Sequence, residues 1–313
     1  MSILSKIGFG TVLIGVALLC TNAVQDTPQE ALVPLGDPVV EANEERGYKV
    51  YALELPEQMD FAGEPVPLDN PDIRERMDRE LLVNTYWQSN MLIMIKRAHK
   101  YFPIIEPMLE ANGLPDDFKY LAIAESGLDN VRSPAGAAGF WQFLKGTGKE
   151  YGLEINDYVD ERYHLEKATK VAADYLKKSK KRFGTWTSAA GAYNAGNGGI
   201  SKEMKRQDVN DYYDLLLNSE TSRYVFRILA FKEILSNPEK YGFHFEEADL
   251  YTAVPTYKVM VDSAVTDFAS FAKRFGINYK ILKIHNPWLR DKFLKNASAK
   301  EYLIEIPKEG YYN

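Results

Sequence analysis

The sequence predicts a mainly α protein, a large all-α domain followed by a small α+β domain. Three observations carry this. Apolar residues recur at helical spacing through most of the stretch from 74 to 235. Near the C terminus, 257–261 and 302–307 read instead as strands, with two short helical runs between them. The 313 residues, 45% hydrophobic and 26% charged, are also long and apolar enough for a folded domain plus an accessory one.

Taken in order, Lys6, the apolar run 7–19 and Cys20-Thr21-Asn22-Ala23 form the charged, hydrophobic and small-residue sections of a secretory signal peptide, cleaved after Ala23. The run is shorter than the about 20 residues a membrane span needs. Lipid attachment at Cys20 is the alternative, and the bulky Leu19 before it argues against that. Residues 24–72 are rich in proline and acids and read as a partly extended tether, with Tyr48-Lys49-Val50-Tyr51 as one short strand.

From Arg74 the pattern turns helical, with Leu81, Leu82 and 91–95 on core faces. Tyr101-Phe102-Pro103 predicts an end to that run before 104–111 resumes it. In 115–127, proline in the first turn, acids after it and Gly127 at the end mark a short helix. A helix over 166–183 closes at Gly184, and another over 187–193 carries alanines and Gly191 that permit close contact. An abrupt turn over 194–199 follows, then a last helix over 221–235. In the small domain, Thr266 is placed to cap a helix bearing Phe268, Phe271, Ala272 and Phe275, and 281–285 forms a second. The domain limits so drawn are 1–23, 24–72, 73–240 and 250–313.

Glu125 falls where the 115–127 helix should place an apolar residue, on the stripe Phe118, Leu121, Ala122, Glu125. A carboxyl group there is partly desolvated, which favours its neutral form and suits it to donate a proton near neutral pH. The competing reading is a structural glutamate held by Arg132 or Arg162. Downstream, 133–139 has almost no side-chain bulk and lets a backbone approach a ligand or another helix. Phe140-Trp141-Gln142-Phe143 then sets aromatic surface beside an amide, a mixture suited to sugars, although each aromatic alone reads equally as core.

Read together, these residues resemble a known family. Glu125-Ser126, Gly139-Phe140-Trp141-Gln142, Ala192-Tyr193-Asn194-Ala195-Gly196 and Glu220-Thr221-Ser222-Arg223-Tyr224-Val225 are similar, in order, to the motifs of soluble-lytic-transglycosylase-like domains. Leu114-Pro115-Asp116-Asp117-Phe118-Lys119-Tyr120-Leu121 and Val159-Asp160-Glu161-Arg162 resemble those of its membrane-bound D subfamily. The resemblance implies a lysozyme-like all-α catalytic domain that acts on peptidoglycan glycan strands in the periplasm without a cofactor. It implies Glu125 as acid and then base, leaving 1,6-anhydro-muramic acid ends, with Ser126, Gln142, Tyr193, Asn194 and Glu220 as substrate-binding residues. The C-terminal region resembles a divergent LysM-like module in which Ser263-Ala264-Val265-Thr266 replaces the usual Gly-Asp-Thr. Both glycan binding and packing against the catalytic domain are open to it.

Other classes are excluded or compete. A net charge of −6 argues against nucleic acid as a partner. His99, His164, His244 and His285 are scattered without ligand spacing, so no metal is implied, and Cys20 alone cannot form an internal disulfide. A hydrolytic muramidase of the same fold, with Asp129 or Asp160 as second carboxylate, and a noncatalytic wall-binding protein are the alternatives. Asp129 otherwise reads as a turn residue, and Asp160 as part of an ion pair that organises the fold.

Overall fold

The structure, a computed structural model, describes residues 50–312. The signal-peptide and lipid-anchor readings, the start of the Tyr48-to-Tyr51 segment and the first half of the tether lie outside the described residues. The second half is not a tether. Strands β1 (Asp60–Phe61) and β2 (Glu64–Pro65) form a tight hairpin. Phe61, Val66 and Leu68 are buried in the main core, where Phe61 packs edge-on to Phe118 at 5.3 Å. These apolar residues, spaced between the prolines, outweigh the composition that suggested extension.

Helices α1 (Pro71–Tyr86) and α2 (Gln88–Ala111) follow. Asn70 caps α1 by accepting from the Asp72 N–H. The break expected at Pro103 does not occur, since α2 runs on through Pro103 and Pro107. Both prolines are exposed and four residues apart, so the carbonyls they deprive of partners lie on the water-facing side. Ile95, Ala98, Ile105 and Leu109 meanwhile hold the opposite face in the core.

Helix α3 (Phe118–Ser126) ends at Gly127 in the left-handed conformation, as its sequence predicts. It is followed by an irregular loop over 127–144 and by a short helix, α4 (Lys145–Glu150), that periodicity did not reveal. Helix α5 (Leu165–Phe183) buries Ala168, Val171, Ala172 and Leu176 and closes at Gly184. Helix α6 (Trp186–Ala195) is capped by Thr185. On α6, a Cβ at Gly191 would lie 2.5 Å from the ring of Tyr212, which explains the glycine. The turn expected over 194–199 is confined to Gly196, and α7 (Asn197–Gln207) begins at once, anchored by Ile200 and Met204 against Leu215. Helix α8 (Ser219–Ser236) buries Val225, Phe226, Ile228, Leu229 and Ala230 around nearly its whole circumference, and α1, α3 and α6 pack on it.

The C-terminal region pairs β3 (Thr256–Val261) antiparallel with β4 (Tyr302–Pro307), Val259 opposite Ile304. Helices α9 (Phe268–Lys273) and α10 (Tyr279–His285) lie between them in sequence. Asp267 caps α9 where Thr266 was expected, because its carboxylate reaches the N–H groups of both Ala269 and Ser270. The small core of Val261, Phe268, Leu282, Trp288, Ile304 and Ile306 also contains Ala138, Val159 and Tyr163 from the larger domain. The two domains thus share one apolar cluster.

Candidate active site

Glu125 projects from the half-buried last turn of α3, partly open to solvent. The hydroxyl of Tyr224, one turn into α8, donates to its Oε1. Neither Arg132 nor Arg162 pairs with it. Arg162 is committed to Asp160 at 2.7 Å and to the carbonyls of Gly136 and Phe143 at 2.9 and 3.0 Å. An arginine-clasped structural glutamate does exist in this fold, at Glu80. Its fully buried carboxylate receives Arg223 Nε at 2.6 Å, with Arg227 Nε at 3.9 Å.

The contrast fixes the electrostatics of Glu125. Its pKa is raised from 4.5 to about 7, and loss of water is the largest cause. The Tyr224 hydrogen bond pulls it down, the negative Glu220 pushes it up, and Arg227, drawn toward Glu80, pulls it down only from a distance. Desolvation wins. At neutral pH protonated and ionised forms of Glu125 are both populated, which suits a group that donates a proton and then accepts one. Burial and the neighbouring Glu125 hold the hydroxyls of Tyr193 and Tyr224 well above their ordinary pKa, so both stay neutral donors.

Around this carboxyl group the expected residues fall in two sets. Tyr193 donates to the carbonyl of Trp141 at 2.7 Å, tying α6 to the loop before α4. Asn194 donates through Nδ2 to Glu220 at 3.2 Å and accepts through Oδ1 from the Thr221 hydroxyl at 2.9 Å. Glu220 itself is exposed in the first turn of α8, behind the cap residue Asn218. Asn194 and Glu220 are thus in contact, and Glu220 and Tyr193 each interact electrostatically with Glu125. Gln142 sits in the left-handed conformation, φ 49°, and donates through Nε2 to the carbonyls of Gly139 and Val131 at 2.7 and 3.1 Å. Its amide thereby shapes the loop while its side chain remains partly exposed. The Ser126 hydroxyl is bound to backbone, donating to Ala122 O and accepting from Asp129 N.

Phe140, Trp141 and Phe143 are core, with the Trp141 indole donating to Thr169 at 2.9 Å. The bulk-free stretch makes a close backbone contact, though with protein. A Cβ at Gly139, φ 80°, would lie 1.9 Å from the carbonyl oxygen of Arg162. Asp129 is paired with Arg97 at 2.7 Å, and Asp160 with Arg162. Tyr224 and Arg227 received no role from the sequence. Both stand on one α8 face with Glu220, at i, i+4, i+7, a spacing that could have flagged them. A cavity of about 450 Å³, lined by Tyr101, His164, Trp288 and Tyr312 among others, lies between α2 and the C-terminal domain and does not include Glu125.

Fold and site define a lysozyme-like α-helical domain that carries a desolvated carboxyl group with no basic partner among the described residues. Comparison with known proteins agrees. The transglycosylase SLT domain family matches residues 102–216, and the soluble lytic transglycosylase C-terminal LysM-like domain family matches 257–310. Membrane-bound lytic murein transglycosylase D of Escherichia coli strain K12 is 31% identical over 258 residues, 80% of this chain and 55% of that protein. The protein of that name from E. coli O6:H1 matches to the same extent. A crystal structure of the 70 kDa soluble lytic transglycosylase of E. coli matches with a TM-score of 0.37 and 24% identity, over 44% of this chain and 24% of that one. The chain thus carries an SLT domain followed by a LysM-like domain, and it is homologous to the membrane-bound lytic murein transglycosylase D family. It spans about half the length of the curated relatives it matches.

Proposed function

We propose that the protein is a peptidoglycan lytic transglycosylase, exported to the periplasm and membrane-associated, that cleaves the β-1,4 bond between N-acetylmuramic acid and N-acetylglucosamine. Protonated Glu125 gives its proton to the glycosidic oxygen as the bond to the muramoyl C1 breaks. The resulting carboxylate then takes the proton of the C6 hydroxyl, whose oxygen closes on C1 to give the 1,6-anhydro ring. The sugar's own acetamido group stabilises the oxocarbenium-like centre meanwhile. A hydroxyl held on the same ring carries an effective-concentration advantage of several kcal/mol, on the order of 7 or more when well aligned, so one carboxyl group suffices.

What carries this reading is Glu125, desolvated and without an arginine or lysine partner among the described residues, with Tyr224 occupying one oxygen and the other left for substrate. Tyr193, Asn194, Glu220 and the Gln142 loop would line the glycan site, while Ser126 would position the end of α3. Asp129 and Asp160 are each taken up by an arginine, which speaks against either activating a water. A hydrolytic muramidase is the second reading, favoured by one observation, that the Glu220 carboxylate acts on Glu125 electrostatically. Mass spectrometry of digested sacculi separates the two. Anhydro-muramoyl products are expected, whereas reducing ends alone would establish hydrolysis and intact sacculi a noncatalytic wall-binding protein.

A further inference from the structure

The C-terminal domain is fixed to the larger one mainly through segment 154–163, with Lys258 also bound to Glu166 just beyond it at 2.7 Å. The Asp160 N–H donates to Trp288 O at 2.9 Å, the Arg290 N–H donates to Tyr158 O at 2.8 Å, and Val159 pairs with Leu289. Lys300 binds the carboxylate of Glu154 and lies 3.5 Å from that of Glu161, and the Tyr302 hydroxyl donates to Glu154 at 3.0 Å. Trp288 is held between Tyr302, stacked at 5.7 Å, and His164, at 5.5 Å. Such a joint is more than a tether, since its backbone bonds fix register as well as distance.

Segment 154–163 in turn fixes the loop that carries Gln142. Asp160 accepts from both Nε and Nη2 of Arg162, at 2.9 and 2.7 Å, which locks the plane of the guanidinium. Nη1 then donates to Gly136 O and Phe143 O, one near each end of the 136–143 turn. Gly139 lies directly on the Arg162 carbonyl. From this turn the Trp141 carbonyl accepts the Tyr193 hydroxyl, beside Glu125. Hydrogen bonds joined through the backbone of the 136–143 turn therefore link the C-terminal domain to Tyr193, whose hydroxyl feels the charge of Glu125.

We propose that the LysM-like domain is a positioning element of the active site, acting through the Asp160–Arg162 pair to set the 136–143 turn, and that Arg162 is a positioning residue. Arg162 reaches the turn with donors in a rigid fork, so lysine keeps the charge and loses the geometry. The inference about catalysis rests on the function proposed above. The inference about position does not, and amide hydrogen exchange on the full chain tests it separately.

The amides of Gly136, Ala138, Gly139 and Gln142 are all bonded within this loop. In Arg162→Lys they should exchange at least about tenfold faster while α8 amides keep their protection. Trp288→Ala, in the other domain, should loosen the same loop. Lys300→Ala gives the same reading without removing buried volume. Turnover should fall at least about tenfold in Arg162→Lys, with a smaller change in KM and the pH limb set by Glu125 unmoved. Unchanged loop exchange in all three variants, or exchange rising equally in α8, would overturn the proposal. Loosening of the loop with wild-type turnover would overturn its catalytic half alone.

Discussion

Tyr224 on α8 donates its hydroxyl to the carboxyl group of Glu125 on α3, joining the central helix of the fold to its candidate acid. The bond favours the ionised form and so opposes the desolvation that raises the pKa to about 7. Tyr224→Phe removes that opposition. The pKa of Glu125 should rise further, by about one unit for one lost hydrogen bond of ordinary strength. A pH–rate profile should show the alkaline limb displaced upward, and a downward displacement would contradict the assignment.

Removing the charge itself should stabilise the protein. The folded pKa of Glu125, about 7, stands above its ordinary 4.5, so the native state binds the proton more tightly than the unfolded chain. Stability should fall as pH rises from about 4.5 to about 7 and stay lowered above that. Glu125→Gln cannot ionise and still offers Tyr224 an acceptor. It should therefore be more stable than wild type at pH 8 by on the order of 1–2 kcal/mol, allowing for solvent on the open side of the group. The gain should vanish below about pH 4, as read by thermal melts across pH.

Gly139 allows no side chain. Its φ of 80° disfavours an L residue, and an added Cβ would lie 1.9 Å from the Arg162 carbonyl, a backbone atom that cannot swing aside. Gly139→Ala should lose about 3 kcal/mol or more in chemical denaturation. A loss under about 1 kcal/mol would mean that the loop does not sit on segment 154–163 as described.

Glu64, in the stretch whose composition suggests a tether, caps α6. Its carboxylate accepts from the N–H groups of Trp186 and Thr187 at 2.7 and 2.8 Å, from the Thr187 hydroxyl and from Lys180. Burial pushes its pKa up, and these donors together outweigh it, so the net shift is downward. Stability from this group should be present above its ordinary pKa of 4.5 and fade as pH falls below it. Glu64→Ala should cost about 2 kcal/mol near pH 7 and less in acid, measured by urea unfolding at both.

Where local chemistry decides, the sequence was sufficient. Gly127 and Gly184 end α3 and α5 where their left-handed conformations stop a helix, and 302–307 forms the strand its pattern requires. Tertiary context decided the rest. Pro103 lies within α2 because its solvent face tolerates a lost bond, and α7 begins straight after Gly196 because Ile200 finds a buried site. Phe61 turns a proline-rich stretch into part of the core. In the candidate site, Glu125 is visible as an acid on an apolar stripe, and Asn194 contacts Glu220, whose charge acts on Glu125. Tyr224 is hidden because a tyrosine on a buried helix looks the same whether or not its hydroxyl finds a carboxylate 99 residues away.

Catalysis as proposed needs Glu125 to keep its proton near neutrality. Carbon-detected NMR titration of Glu125, assigned by comparison with Glu125→Gln, measures this directly. A midpoint near 7 is the predicted result, and a midpoint at or below 4.5 would contradict the account.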